Sequence, residues 1–157
     1  MSNSGIVEWR GPLSEAWTFL VIGSAAIFGA GLFSAVTARA TTYHSAWLVA
    51  YLVLVVGVAQ IALGLGQATI VSGPLQPWRV MSEVVLFNLG NIGVVVGTLL
   101  AIPLGVDVGS ALLVASLILF GQSVRGSDRR RVAVWGYLVL VVLLVASVIV
   151  GIFFAHR

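Results

Sequence analysis

The sequence of 157 residues contains no cysteine and no lysine, and charged residues of either sign are scarce. Without cysteine the chain has no disulfide bonds, thiolate metal sites or thiol nucleophiles. Eight arginines carry all the positive charge, and most are scattered between apolar runs. Their one run, Arg129–Arg131, is explained by membrane topology. The basic composition therefore does not predict a nucleic-acid partner.

Charged side chains make up 8% of the chain, whereas hydrophobic residues make up 60%. Soluble domains carry about a quarter charged residues, so this composition is typical of membrane proteins. The eight arginines and five acidic residues all lie in or beside the gaps between apolar runs. A charge at the bilayer centre costs about 2.5 kcal/mol or more, which explains this distribution. The lipid bilayer is the first partner that the sequence predicts.

Uncharged runs predict an all-α, polytopic membrane protein, a bundle of five transmembrane helices forming one membrane domain over residues 1–157. The predicted spans cover residues 16–38, 45–70, 84–106, 108–124 and 132–155. Pro103, Gly105 and Asp107 predict a tight turn between the third and fourth spans. The fourth run is the shortest, and a re-entrant segment is the alternative to a full crossing.

Arginine is distributed unequally between the two ends of the predicted bundle. Six arginines fall on the side of the N-terminus, and Arg39 and Arg157 fall on the other side. The positive-inside rule then predicts a cytoplasmic N-terminus and an outside C-terminus in the plasma (cell inner) membrane. The aromatic residues near the predicted boundaries are typical of interfacial anchors. They are Trp17, Trp78, Trp135 and Tyr137 at the inner boundary, and Tyr43 and Trp47 at the outer boundary.

Four amides lie inside the second and third predicted spans. Gln60 and Gln67 share one face of the second span, and Asn88 and Asn91 share one face of the third. The two spans run in opposite directions, so we expect a polar seam between them. Amides in lipid commonly hold helices together through hydrogen bonds, which is the favoured interpretation. The alternative is a polar site for a solute, an ion, a quinone or another headgroup.

Glycines are the candidate residues for close helix packing. Gly57 and Gly64 belong to the second span, and the third contains Gly90 and the spacing Gly93-x-x-x-Gly97. Small residues of this kind let helix backbones approach closely. We expect these five glycines to close in the amide seam.

Few side chains are suited to catalysis. His44, Asp107 and His156 all fall at the predicted outer surface, where they are weak candidates for a metal site or a pH response. Glu83 is expected to open the third helix, with a proton-binding or gating carboxylate as the alternative. Signatures of hydrolases, zinc proteases and nucleotide-binding enzymes are missing. No catalytic residue, metal or cofactor is predicted.

The leading functional prediction is a non-catalytic accessory or scaffold subunit of a larger membrane complex, respiratory or transport. Its partners would be other membrane protein subunits or further copies of itself. One alternative is a small homo-oligomeric transporter or channel with an amide-lined path. Another is a cofactor-dependent membrane redox protein that uses His44 and His156. The arginine bias and the compact chain favour a prokaryotic source.

Overall fold

Five helices, each long and apolar enough to cross a membrane, make up most of the described chain in a computed structural model. The model describes residues 16–71, 73, 75–125, 127 and 131–155. These residues contain no strand. The helices are α1 (Trp17–Thr37), α2 (Tyr43–Ile70), α3 (Pro77–Leu99), α4 (Pro103–Val124) and α5 (Arg131–Ala155). The predicted all-helical, multi-pass architecture is confirmed.

The third and fourth helices begin earlier than the sequence predicted. α3 starts at Pro77 instead of residue 84, because proline suits the first helical position and a helix does not stop at its first charge. Glu83 therefore lies in the second turn of α3 instead of opening the helix. α4 starts at Pro103, so Gly105 and Asp107 belong to its first turns and not to a loop. With 22 residues, α4 is long enough for a full crossing.

A three-residue turn, residues 100–102, joins α3 to α4. The Ile102 amide donates to the Gly97 carbonyl, and the Ala101 amide donates to the Thr98 carbonyl. This pair of bonds is the Schellman arrangement that ends many helices, with Ala101 at the position usually taken by glycine. Ala101 accordingly has a positive φ of 53°.

Glycines bring consecutive helices into contact. A Cβ atom added to Gly93 would lie 2.8 Å from the Cα of Gly109, and one added to Gly90 would lie 2.8 Å from the Gly109 carbonyl oxygen. Gly97 meets the start of α4 in the same way, at Gly105 and Val106. α3 and α4 therefore form a hairpin with nearly touching backbones.

α2 packs chiefly against α1. Gly57 faces Ile27 of α1, and Gly64 faces Phe19. These glycines thus allow close packing within the α1–α2 and α3–α4 hairpins. The sequence instead predicted that they would pack around a seam between α2 and α3.

The connections divide the bundle into two ends. The hairpin end holds the α1–α2 and α3–α4 turns, and the basic end holds the α2–α3 and α4–α5 connections with Arg79, Arg125 and Arg131. A hydrophobic core joins the helices between them. Its largest members are Phe19, Leu63, Phe87, Leu117, Phe120 and Tyr137.

α2 contains a π-helical segment, Leu52–Ala59. Such wide turns are rare and occur frequently at functional sites. This one lies between Tyr51, which hydrogen-bonds to Asn91 of α3, and Gln60, whose side chain is fully buried.

Candidate functional site

A pocket of about 430 Å³ opens at the hairpin end of the bundle, between α2, α3, α4 and α5. Its walls are mostly apolar, with Val55 and Val94 on one side and Leu113 and Val148 on the other. Among the described residues, no arginine, aspartate or glutamate lines it. Pockets of this size and polarity bind small organic molecules. We call it the aromatic pocket, after the α2 residues described next.

Four ring-bearing residues of α2 form one wall of the aromatic pocket: Tyr43, His44, Trp47 and Tyr51. Three of them are spaced at i, i+4 and i+8, which places them on one helix face. The Trp47 and Tyr51 rings are stacked, with centroids 5.2 Å apart and planes 28° from parallel. Tyr43 and His44 meet edge to face at 5.9 Å. The wall therefore consists of aromatic rings that contact one another in pairs.

Hydroxyl groups supply most of the polar surface elsewhere in the aromatic pocket. Thr98 of α3, Ser110 of α4 and Ser147 of α5 all line it. Hydroxyls both donate and accept hydrogen bonds, so they suit neutral polar groups.

A hydrogen bond between α2 and α3 lies beside the aromatic pocket, which Tyr51 lines. The Tyr51 hydroxyl donates to Asn91 Oδ1 at 2.8 Å, and Asn91 Nδ2 donates to the Phe87 carbonyl at 2.8 Å. Asn91 is buried, so this partner satisfies an amide that would otherwise be costly in hydrocarbon. The bond joins two helices whose backbones make few close contacts.

A second polar group, the carboxyl cluster, lies toward the basic end and consists of Glu83, Gln67 and Ser123. Glu83 is fully buried. Its Oε1 accepts from Gln67 Nε2 at 3.1 Å and from Ser123 Oγ at 2.7 Å. The cluster therefore connects α2, α3 and α4 through one carboxyl oxygen. Ser116 of α4 donates to the Glu83 backbone carbonyl at 3.1 Å and reinforces the contact.

Gln60 is fully buried between these two polar groups. On α2, Tyr51 contacts Asn91 and Gln67 contacts Glu83. Gln60 lies between Tyr51 and Gln67 along α2, so its depth in the bundle is between those of the two contacts. Among the described residues, neither of its side-chain polar atoms has a hydrogen-bond partner. Gln67 Oε1 and Glu83 Oε2 also have none.

The four predicted amides are therefore divided between separate contacts and do not form one continuous seam. Asn91 belongs to the Tyr51 contact, and Gln67 belongs to the carboxyl cluster. Asn88 is half-buried, and its Nδ2 donates within its own helix to the Val84 carbonyl at 2.8 Å. No bond between two of the four amides occurs in the described part of the chain.

The three outer-surface candidates are not brought together as a metal site. His44 is exposed at the mouth of the aromatic pocket, and Asp107 is half-buried in the second turn of α4. His156 lies outside the described residues. Within residues 16–71, 73, 75–125, 127 and 131–155, no group of three His, Cys, Asp or Glu side chains could hold a metal ion.

Sequence reasoning missed the partners of the amides. Tyr51 was not singled out, although its i+4 spacing from Trp47 and i+8 spacing from Tyr43 was a signal of an aromatic face. Trp47 and Tyr137, expected as interfacial anchors, lie inside the bundle: Trp47 lines the aromatic pocket, and the Tyr137 hydroxyl donates to the Leu63 carbonyl at 3.2 Å.

The other predicted anchors do lie on the bundle surface, where they can contact lipid or its boundary. They are Trp17, Trp78, Trp135 and Tyr43, each with well over half of its side chain exposed. Ser123 had no sequence signal, because a lone serine near a helix end is common.

No known protein family, curated protein or solved structure matches this chain. The chemistry of the site is therefore argued from its own side chains. The aromatic pocket offers apolar and aromatic surface together with neutral hydrogen-bonding groups. The carboxyl cluster offers a buried acidic group outside that pocket.

Proposed function

We propose that this chain is a non-catalytic, multi-pass protein of the plasma membrane that binds a neutral, amphipathic small molecule in the aromatic pocket. The observation that carries the proposal is the stacked Trp47–Tyr51 wall facing an apolar space of about 430 Å³. Flat aromatic surface packs best against a planar ring or an extended hydrocarbon chain. The bound molecule would reach the aromatic pocket from the bilayer.

The polar groups of the aromatic pocket favour a ligand without charge. Thr98, Ser110 and Ser147 offer hydroxyls, and His44 at the mouth offers an imidazole that can donate or accept. A carbonyl or hydroxyl headgroup matches these partners. A carboxylate or phosphate headgroup would have no arginine to pair with among the described lining residues.

The test is to purify the wild type and a filled-pocket variant in mild detergent and to measure co-purified small molecules by mass spectrometry. Ser147→Phe places a ring in the aromatic pocket, whereas Ser24→Phe adds the same ring on the exposed surface of α1. We expect a neutral amphipathic compound in the wild type and in Ser24→Phe, and at least tenfold less of it in Ser147→Phe. Equal amounts in all three proteins, or none in any, would contradict the proposal.

The accessory-subunit and transport functions remain predictions compatible with a bound ligand. Gly29 and Gly31 of α1 face open space, which would allow a helix of another chain to approach closely. A pull-down from native membranes tests the subunit prediction through stoichiometric membrane partners. A transporter would instead show uptake of the molecule identified by mass spectrometry, and Ser147→Phe would abolish that uptake.

A further inference from the structure

The carboxyl cluster contains buried oxygen atoms that have no hydrogen-bond partner among the described residues. Glu83 and Gln67 are joined by one hydrogen bond, from Gln67 Nε2 to Glu83 Oε1 at 3.1 Å. The other oxygen of each side chain, Glu83 Oε2 and Gln67 Oε1, is buried and has no partner among the described residues. Both atoms are acceptors when the carboxyl group is ionised, so neither can satisfy the other. What the pair lacks is one hydrogen.

We propose that Glu83 and Gln67 form a proton-binding site within the bundle. The proton adds to Glu83 Oε2, and the new O–H donates to Gln67 Oε1 while the existing N–H bond to Oε1 is kept. The carboxyl group and the amide are then joined by two hydrogen bonds in a ring. The net change is the gain of one proton, which converts a buried anion into a neutral group.

Neighbouring helices provide the surroundings that this site needs. α4 contributes the Ser123 hydroxyl, which donates to Glu83 Oε1, and α2 contributes the neutral Gln67. Among the described residues, two charged or titratable groups interact electrostatically with Glu83: Arg79, one turn earlier on α3, and Tyr137 on α5. The Tyr137 hydroxyl is engaged with the Leu63 carbonyl.

Arg79 provides the charge that balances Glu83 when the proton leaves. Its position at i−4 places it on the same face of α3, and its Nε is buried without a hydrogen-bond partner. Arg79 therefore contributes the positive charge that interacts with the ionised carboxyl group.

This site is separate from the aromatic pocket. Phe87, one turn beyond Glu83 on α3, lines that pocket and is packed edge to face against Phe120. The proton-binding proposal therefore stands or fails independently of the ligand proposed above.

The experiment is infrared difference spectroscopy of the full chain in lipid, recorded across the pH range in which it stays folded. A protonated carboxyl group has a carbonyl stretch above the amide band that shifts in heavy water. We expect such a band in the wild type, its loss in Glu83→Gln and a frequency shift in Gln67→Met. Asp107→Asn is the control, and it should keep the band.

Glu83→Gln is suited to this test because it should fold. Its amide can donate to Gln67 Oε1 and accept from Gln67 Nε2, which reproduces the protonated pair. Identical spectra for the wild type and Glu83→Gln at every pH would overturn the proposal. A band unchanged in Gln67→Met would overturn the role of Gln67.

Discussion

Ala101 adopts a backbone conformation that is unfavourable for a residue with a Cβ atom. Its φ of 53° is required by the Schellman turn that joins α3 to α4. A left-handed conformation costs a residue other than glycine roughly 1–2 kcal/mol. The turn is therefore kept by the close contact between α3 and α4 and not by local preference.

Replacing Ala101 with glycine should stabilise the protein. We expect Ala101→Gly to raise the free energy of unfolding by about 1 kcal/mol, because glycine adopts positive φ without strain. Thermal unfolding in detergent measures the change. Ala25→Gly on the exposed surface of α1 is the matched control, and it should lower stability by a similar amount. A loss of stability in both variants would mean that the turn carries no strain.

The Tyr51 hydroxyl satisfies a buried amide oxygen, so its removal should be costly. Tyr51→Phe leaves Asn91 Oδ1 without this donor in an apolar interior and should lower the free energy of unfolding by about 1–3 kcal/mol. Tyr43→Phe removes the same atom from a ring that is 81% exposed and should change little. Equal unfolding temperatures for the two variants would contradict the role given to the Tyr51–Asn91 bond.

The α3–α4 hairpin depends on glycine because no side chain fits between the two backbones. A Cβ atom on Gly109 would lie 2.5 Å from the Val94 backbone nitrogen and 2.7 Å from the Gly90 carbonyl oxygen. Backbone atoms cannot move aside as a flexible side chain can. Even a single methyl group must therefore separate the helices.

Gly109→Ala should therefore destabilise the bundle by about 1–3 kcal/mol or more, the usual range for overpacking. Gly136→Ala on α5 is the control, since a Cβ atom there meets nothing within 4 Å. The readouts are the yield of folded protein and the unfolding temperature in detergent. If both alanine variants unfold at the same temperature, the close approach of α3 and α4 is not needed for stability.

The sequence predicted the number of helices because lipid demands long uncharged runs. It misplaced the start of α3 because Arg79 and Glu83 were treated as boundaries, although a helix can carry charges in its first turns. The 3.6-residue period placed the amides on faces of α2 and α3, but they form no common seam. The partners of the amides were not predicted. Tyr51 meets Asn91 and Glu83 meets Gln67 through a packing of helices that a linear pattern does not encode.

α2 also contains a segment that does not follow the α-helical period. It ends before Gln60, so Gln60 and Gln67 both belong to the regular helix that follows. The contacts of Gln67 with Glu83 and of Asn91 with Tyr51 depend on how α2 packs against α3. The spacing of residues within one helix does not predict which residues of another helix they meet.

In the molecule as a whole, the two sites lie toward opposite ends of the helix bundle. The aromatic pocket opens at the hairpin end, and the carboxyl cluster lies toward the basic end. The positive-inside rule predicts that the basic end faces the cytoplasm. The pocket would then open toward the outer half of the bilayer, and the proton site would exchange with the cytoplasm.

The absence of cysteine makes this orientation directly testable, because any thiol introduced is unique. Thr41 lies exposed at the hairpin end, and Gln76 lies exposed at the basic end. In intact cells, a membrane-impermeant maleimide should label Thr41→Cys and leave Gln76→Cys unlabelled, and broken membranes should allow both to react. The reverse labelling pattern would mean that the hairpin end faces the cytoplasm and the basic end faces the outside. The proton site would then exchange with the outside, and the aromatic pocket would draw its ligand from the inner leaflet.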